Sequence, residues 1–109
     1  VPYVWGGYSP SGFDCSGFVS YAINHCGAGW NIGRLTAEGL RGVCTSVPSS
    51  QAQAGDLIFF QGTYNTPGAS HVGIYLGNGQ MIHCGKPVQI TSINSSYWQQ
   101  HFMQFGRLP

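Results

Sequence analysis

An amphipathic run between Cys15 and Gly27 is the feature that most constrains the fold. Apolar side chains recur at positions 18, 19, 22, 23 and 26, which is one face of a 3.6-residue period, and Gly27 supplies a usual helix stop. The run predicts a helix with Asp14 as its N-cap and Cys15 in its first turn. Unpaired N–H groups and the positive dipole end favour an anion there, and helix N-termini lower the pKa of a thiol. Cys15 is therefore a candidate nucleophile, and the alternative is a small buried hydrophobe.

Four cysteines could form a two-disulfide framework of the kind found in secreted domains. Helix geometry limits the pairings, because Cys15 and Cys26 on one helix would lie about 16 Å apart and bridged Cα atoms lie within about 7 Å. We interpret Cys26, Cys44 and Cys84 as core or partly buried thiols. No C-x-x-C or H-x-x-H spacing occurs, so a zinc site has little support.

Composition excludes several classes of function. Charged residues make up 6% of the 109 residues, far below the ~25% of a typical globular domain. The four basic residues are scattered and the formal net charge is +1, which argues against binding of nucleic acid or a polybasic membrane patch. No apolar run is long enough to span a bilayer. The low charge, with 17 glycines and 14% aromatic residues, suits an extracellular protein with sugar-like or peptide-like ligands.

The length allows one domain, residues 1–109, with a modest core. The chain begins at Val1 without an initiator Met and stops at Pro109. We therefore expect a domain taken from a larger modular protein.

From Gly55 onward the sequence has the pattern of strands. Apolar or alternating runs between turn residues predict strands at 56–60, 71–76, 80–85, 88–93 and 102–105. Short helices are predicted at 36–43, with Thr36 as N-cap, and at 95–101. Arg34 and Arg41 are interpreted as solvated surface. A first helix packed on a central antiparallel sheet gives an α+β fold class.

His71 and His83 flank one hairpin, and the turn decides whether they can cooperate. A two-residue Asn78-Gly79 turn would put the two rings on opposite faces of the sheet. A three-residue loop from Gly77 to Gly79 would put both rings on one face and gather the aliphatic residues on the other. Hydrophobic patterning favours the three-residue loop, so we predict a His–His pair on one surface.

Five segments of the chain resemble the NlpC family of bacterial cell-wall cysteine endopeptidases, which have a papain-like fold. The matching segments are Tyr3-Val4-Trp5-Gly6-Gly7, Gly12-Phe13-Asp14-Cys15-Ser16-Gly17-Phe18-Val19, Gly55-Asp56-Leu57-Ile58-Phe59-Phe60, Ser70-His71-Val72-Gly73-Ile74-Tyr75-Leu76-Gly77-Asn78-Gly79 and Met81-Ile82-His83. They span nearly the whole chain in the family's order. The family often carries a Pro-Arg-Thr-Ser-like segment followed by Gln, whereas this chain has Arg34-Leu35-Thr36-Ala37-Glu38-Gly39. Cys84 also stands where the family pattern has Ala.

The resemblance implies a role for each matched residue. Cys15 would be the nucleophile, His71 the general base and acid, and His83 the residue that orients His71. Residues that would shape the substrate pocket are Tyr3, Trp5, Asp14, Ser16 and Ser70. No cofactor is implied. His25 and His101 have no such partners and are interpreted as ordinary surface histidines.

The function implied is hydrolysis of an amide in the peptidoglycan stem peptide, most simply the γ-D-glutamyl bond to the following diamino acid. Such a protein would be secreted or associated with the bacterial cell wall. Two alternatives stay open from the residues alone. One is a related Cys–His amidase that separates the sugar from its peptide, and the other is a non-catalytic wall-binding relic.

Overall fold

The computed structural model describes residues 8–9, 12–13, 15–25, 35–63, 66–84 and 88–108. The helices are α1 (Cys15–His25), α2 (Ala37–Val43) and α3 (Ser96–His101), with a 3₁₀ turn at Ser49–Gln51. The strands are β1 (Tyr8–Ser9), β2 (Gly12–Phe13), β3 (Thr45–Val47), β4 (Leu57–Gln61), β5 (Ala69–Gly77), β6 (Gln80–Cys84), β7 (Val88–Ser92) and β8 (Phe102–Arg107). None of the helices in these ranges is long and apolar enough to span a membrane.

Six strands form one antiparallel sheet in the order β3-β8-β4-β5-β6-β7. The last strand, β8, lies between β3 and β4 and so brings the C-terminal end of the chain into the middle of the sheet. β1 and β2 form a separate two-stranded ladder. The α+β fold class with a central antiparallel sheet is confirmed.

Each face of the sheet carries its own core because side chains alternate along β4. Leu57 and Phe59 pack with α1 and α2 through Val19 and Leu40. Ile58 and Phe60 point to the other face, where they pack with residues that include Phe105, Met81 and Trp98 of α3. Burial on both faces explains why residues 57–60 form a continuous apolar run instead of an alternating one.

The turn of the β5–β6 hairpin differs from the one predicted. Asn78 and Gly79 form a two-residue turn, both with positive φ (53° and 73°), and Gly77 pairs with Gln80. The three-residue loop was therefore wrong, because Asn-Gly strongly favours a two-residue type I′ turn. A β-bulge between Tyr75 and Gly77 then shifts the register by one residue. Ile74 is thereby paired with Ile82, so the aliphatic side chains of the two strands share one face of the sheet, as hydrophobic patterning had favoured.

The other predicted elements are present with shifted ends. Thr36 is the N-cap of α2 and accepts a hydrogen bond from the Gly39 N–H at 3.0 Å, as predicted. Ser95 caps α3 in the same way. The sequence did not predict β3, whose three residues include only one buried side chain, Val47. So short an edge strand has no readable period and forms by pairing with β8.

Candidate active site

Cys15 is the first residue of α1 and only 7% of its surface is exposed. It is not part of a disulfide, and its Sγ lies 3.9 Å from the Ser70 carbonyl oxygen, to which it can donate a hydrogen bond. The same side chain belongs to the core cluster that contains Ala69 and Val72 of β5. The packing of α1 on β5 therefore places the thiol beside the backbone of the residue that precedes His71.

The two hairpin histidines are in direct contact, as the same-face prediction requires. His71 Nε2 and His83 Nδ1 lie 2.9 Å apart, and the ring planes are nearly perpendicular at 81°. His83 is 3% exposed, and its second ring nitrogen, Nε2, lies 2.9 Å from Thr91 Oγ1 on β7. Since Nε2 of His71 is engaged with His83, Nδ1 is the nitrogen with which His71 can act on another group.

Glycine at position 73 makes this contact possible. A Cβ built at Gly73 would lie 3.2 Å from the His83 Cβ and 3.0 Å from the Met81 sulfur. Such approaches are tighter than normal packing, so a larger residue would require Met81, His83 or the β6 backbone to shift by a few tenths of an ångström. The bulge in the hairpin and the absence of a side chain at Gly73 together bring the two rings within hydrogen-bond distance.

Trp98 covers the histidine pair from α3, a contact that sequence reasoning missed. Its ring stacks on His71, with centroids 5.1 Å apart and planes at 28°, and it meets the edge of His83 at 5.3 Å and 83°. Phe60 packs against both rings, with its centroid 4.7 Å from that of Trp98 and 6.1 Å from that of His71. An aromatic face against an imidazole ring restricts its rotation and favours its cationic form. The sequence signal was only an aromatic residue in a short helix.

Burial lowers the pKa values of both histidines. The pKa of His71 falls from 6.5 to about 3 because the ring is desolvated and because His83 would repel a second positive charge. Burial alone lowers the pKa of His83 to about 4. Both rings are therefore neutral near pH 7, and His71 is available as a proton acceptor in the resting protein.

We expect the free energy of unfolding to fall as the pH is lowered from 6.5 to about 5. The unfolded chain takes up protons on both histidines near their ordinary pKa of 6.5, whereas the folded protein does not until a pH of about 4 or 3. The stability contribution is thus complete above pH 6.5 and decreases below it, by up to about 1.4 kcal/mol per pH unit for each histidine. Urea denaturation at several pH values measures the slope.

The matched variants for this measurement are His83→Gln and His25→Gln. His83→Gln should make the slope smaller because one of the two buried groups is gone. His25 is exposed at the end of α1, so its replacement should leave the slope unchanged. The measurement is limited to pH values above about 5. Below that pH, Glu38 would add its own pH dependence to the free energy of unfolding, because its pKa is lowered from 4.5 to about 2. Equal slopes in all three proteins would contradict the expectation.

Glu38 of α2 holds the start of β5 in place. Its Oε1 accepts the Ala69 N–H at 2.8 Å, and its carboxylate pairs with the guanidinium of Arg41, which also reaches Gln104. The hydrogen bond from Arg41 is the main reason that the pKa of Glu38 is lowered. The interpretation of Arg41 as merely solvated surface was therefore wrong. Arg34 lies outside the described residues.

The predicted substrate-pocket residues fall into two groups. Ser16 is 5% exposed within α1, and Ser70 is 2% exposed. The Ser70 hydroxyl accepts the Thr63 N–H at 3.0 Å and contacts Thr63 Oγ1 at 2.6 Å, while its carbonyl faces Cys15. Tyr3, Trp5 and Asp14 lie outside the described residues. The substrate-binding roles of all five stay predictions.

The other cysteines and histidines of the described ranges have their own surroundings. Cys84 is fully buried and not part of a disulfide, and Cys44 is partly buried with a pKa raised to about 11, mainly by desolvation. His25 stacks on Tyr21 of its own helix, and His101 contacts the Gln61 carbonyl. In the part of the chain that the structure describes, no group of three or more His, Cys, Asp or Glu is arranged to hold a metal ion. Cys26 lies outside that part.

A helix-borne thiol against a strand that carries a histidine, with a second histidine behind it, defines a candidate thiol hydrolase of the papain-like kind. The model of the NlpC/P60 family matches residues 1–107, and the chain belongs to this family. It is 42% identical over 109 residues to the bifunctional muramidase/DL-endopeptidase CwlT of Bacillus subtilis, covering 98% of this chain and 32% of that protein. It is 43% identical over 113 residues to the murein DD-endopeptidase MepH of Escherichia coli, and the match covers 98% of this chain and 41% of MepH.

Solved structures agree with the family and show that its members differ. An NLP/P60 family protein of Staphylococcus aureus superposes with a TM-score of 0.89 at 38% identity, covering 98% of this chain and 36% of the other. RipD of Mycobacterium tuberculosis, a non-catalytic NlpC/p60 domain protein adapted to peptidoglycan binding, superposes with a TM-score of 0.79 at 30% identity, covering 100% and 87%. The papain-like NlpC/P60 fold is thus established, and the chain spans about a third of the length of CwlT.

Proposed function

We propose that this domain is a cysteine endopeptidase that hydrolyses an amide bond in the stem peptide of peptidoglycan. The observation that carries the proposal is the arrangement of Cys15, His71 and His83. The Cys15 thiol at the start of α1 contacts the Ser70 carbonyl, next to His71, and Nε2 of His71 contacts His83. CwlT and MepH, which are named as endopeptidases, provide the substrate class by similarity.

The first chemical step is proton transfer from Cys15 to Nδ1 of His71. The thiolate attacks the carbonyl carbon of the scissile amide and forms a tetrahedral intermediate, whose oxyanion the N-terminal N–H groups of α1 are placed to stabilise. His71 is then an imidazolium. Its Nε2–H stays hydrogen-bonded to His83, which fixes the ring, and its ring face lies on Trp98, which favours the charged form.

The second half of the reaction returns the site to its resting state. The imidazolium of His71 donates its Nδ1 proton to the leaving amine, the C–N bond breaks, and a thioester on Cys15 is left. Water gives a proton to Nδ1 and attacks the thioester carbonyl. Release of the carboxylic acid returns the proton to the Cys15 sulfur, so the cycle needs no redox partner or cofactor.

We propose the γ-D-glutamyl bond to the following diamino acid as the bond that is cut. CwlT, which is named a DL-endopeptidase, supports this choice. MepH is named a DD-endopeptidase at nearly the same identity, so the bond has to be identified from products. We also propose that the domain works at the bacterial cell wall as one part of a longer chain, because it covers only 32% of CwlT and 41% of MepH.

Digestion of defined muropeptides, followed by mass spectrometry of the fragments, tests the proposal. Cleavage after D-glutamate would release a fragment that begins with the diamino acid. Release of intact stem peptide from the sugar would identify an amidase, and cleavage of the D,D cross-link would identify the MepH-like reaction. Binding to muropeptides with no new ends after prolonged incubation would instead place the domain with the non-catalytic RipD.

A further inference from the structure

Thr91 lies behind the histidine pair and closes a chain of three polar side chains. β7 is the edge strand next to β6, and their register pairs Met81 with Thr91 and His83 with Gln89. Thr91 is thus a diagonal neighbour of His83 on the same face of the sheet. Its Oγ1 lies 2.9 Å from His83 Nε2, and the side chain is partly buried.

The protons on the two histidines cannot be placed independently. A neutral imidazole carries one N–H and one lone pair, so each ring can donate from one nitrogen only. If His83 carries its proton on Nδ1, it donates to His71 Nε2, and the single proton of His71 must sit on Nδ1. In that arrangement His71 has no lone pair for a thiol proton, and it cannot act as a base.

The alternative arrangement leaves His71 competent. With its proton on Nε2, His83 presents the lone pair of Nδ1 to His71, whose own proton then sits on Nε2. Nδ1 of His71 is left with a lone pair. This arrangement needs an acceptor beyond His83, and the Thr91 hydroxyl can be that acceptor. The same hydroxyl can donate to Nε2 in the first arrangement, so it accommodates both. Without it, the second arrangement would leave a buried N–H with no partner, which is the costlier defect.

We propose that Thr91 is a positioning residue that accepts the Nε2–H of His83 and thereby makes accessible the tautomer in which Nδ1 of His71 is free of a proton. The proposal rests on the proposed function, because a free Nδ1 matters only if His71 acts as a base. Thr91 itself touches neither the thiol nor the scissile bond. It acts through His83, over two hydrogen bonds of 2.9 Å each.

The tautomer can be measured directly by ¹⁵N–¹H NMR of the histidine rings near pH 7, which needs no turnover. In the unmodified protein His83 should carry its proton on Nε2 and His71 likewise. Thr91→Val keeps the shape of the side chain and removes the oxygen, so the Nδ1–H tautomer of His83 should become populated. Thr91→Ser keeps the oxygen and should preserve the original pattern. Thr45→Val, an exposed threonine on β3 at the other edge of the sheet, is the matched control.

Kinetics supply the second readout. Thr91→Val should lower kcat by roughly tenfold with little change in KM, which is the size of effect expected for one hydrogen bond. Thr91→Ser and Thr45→Val should stay within about twofold of the unmodified enzyme.

Three outcomes would overturn the role of Thr91: a proton on Nδ1 of His83 in the unmodified protein, an unchanged tautomer in Thr91→Val, or equal losses in Thr91→Ser and Thr91→Val. The first outcome is measured on the unmodified protein, so it tests the role of Thr91 even if a variant does not fold. Failure of the proposed function looks different, because cleavage would then be absent from the unmodified domain or would survive replacement of Cys15, while the ring signals would still report on Thr91.

Discussion

Replacing Cys15 with alanine is expected to lower muropeptide cleavage by at least about four orders of magnitude. The reaction proposed above makes and breaks a bond to this sulfur, and no other group in the described part of the site can take its place. The fold should persist, because the change removes one atom at the head of α1, where only 7% of the residue is exposed. Cleavage rates and a circular dichroism melt of the same preparation measure the two effects.

Cys44→Ala is the matched control for this loss. The thiol of Cys44 is partly buried and its pKa is raised to about 11, so Cys44 should take no part in cleavage and should not react with iodoacetamide at mildly acidic pH. Labelling of the unmodified domain should therefore occur at Cys15 first. Substantial cleavage by the Cys15→Ala protein, on a preparation free of other hydrolases, would end the nucleophile proposal. A retained affinity for muropeptides without cleavage is the outcome expected if the pocket is intact.

The helix that carries Cys15 and most strands could be predicted because their signals are local. The 3.6-residue period predicted a helix over all of the described residues of α1, and the alternation after position 70 predicted the two strands of the hairpin. The turn was misread because two local signals disagreed. Asn78-Gly79 favours a two-residue turn, while the apolar pattern needs one more residue. The bulge before Gly77 satisfies both, and its signal in the sequence is a single glycine, Gly77, whose φ is 83°.

The contacts around the histidine pair could not be predicted because they depend on strand order. Trp98 reaches His71 only because α3 leads into β8, which inserts beside β4, and Thr91 reaches His83 only because β7 follows β6 at the sheet edge. Glu38 is another case, since its partner Ala69 is 31 residues away along the chain. Each of these side chains is unremarkable in its own segment, and its position beside the site follows from the tertiary fold.

His71→Ala is expected to cost more activity than His83→Ala. His71 exchanges protons with both the thiol and the leaving amine, so its removal should lower kcat by about three to four orders of magnitude. His83 only orients the ring. In its absence Trp98 still stacks on His71 at 5.1 Å, so rotation of the imidazole remains restricted and a loss of roughly 10- to 100-fold is expected. Rates for both variants on one defined muropeptide test the order.

The pH dependence of kcat/KM distinguishes loss of the contact that orients His71 from loss of folded structure. His83→Ala removes the repulsion that contributes to the low pKa of His71 and opens space through which water can reach the ring. Both changes raise the pKa of His71, so the acid limb of kcat/KM should move to higher pH in this variant. A variant that is only less completely folded would have a lower maximal kcat/KM, and the acid limb of its profile would stay at the same pH. Equal or reversed losses for His71→Ala and His83→Ala, with the acid limb at the same pH in His83→Ala and in the unmodified domain, would count against the orienting role.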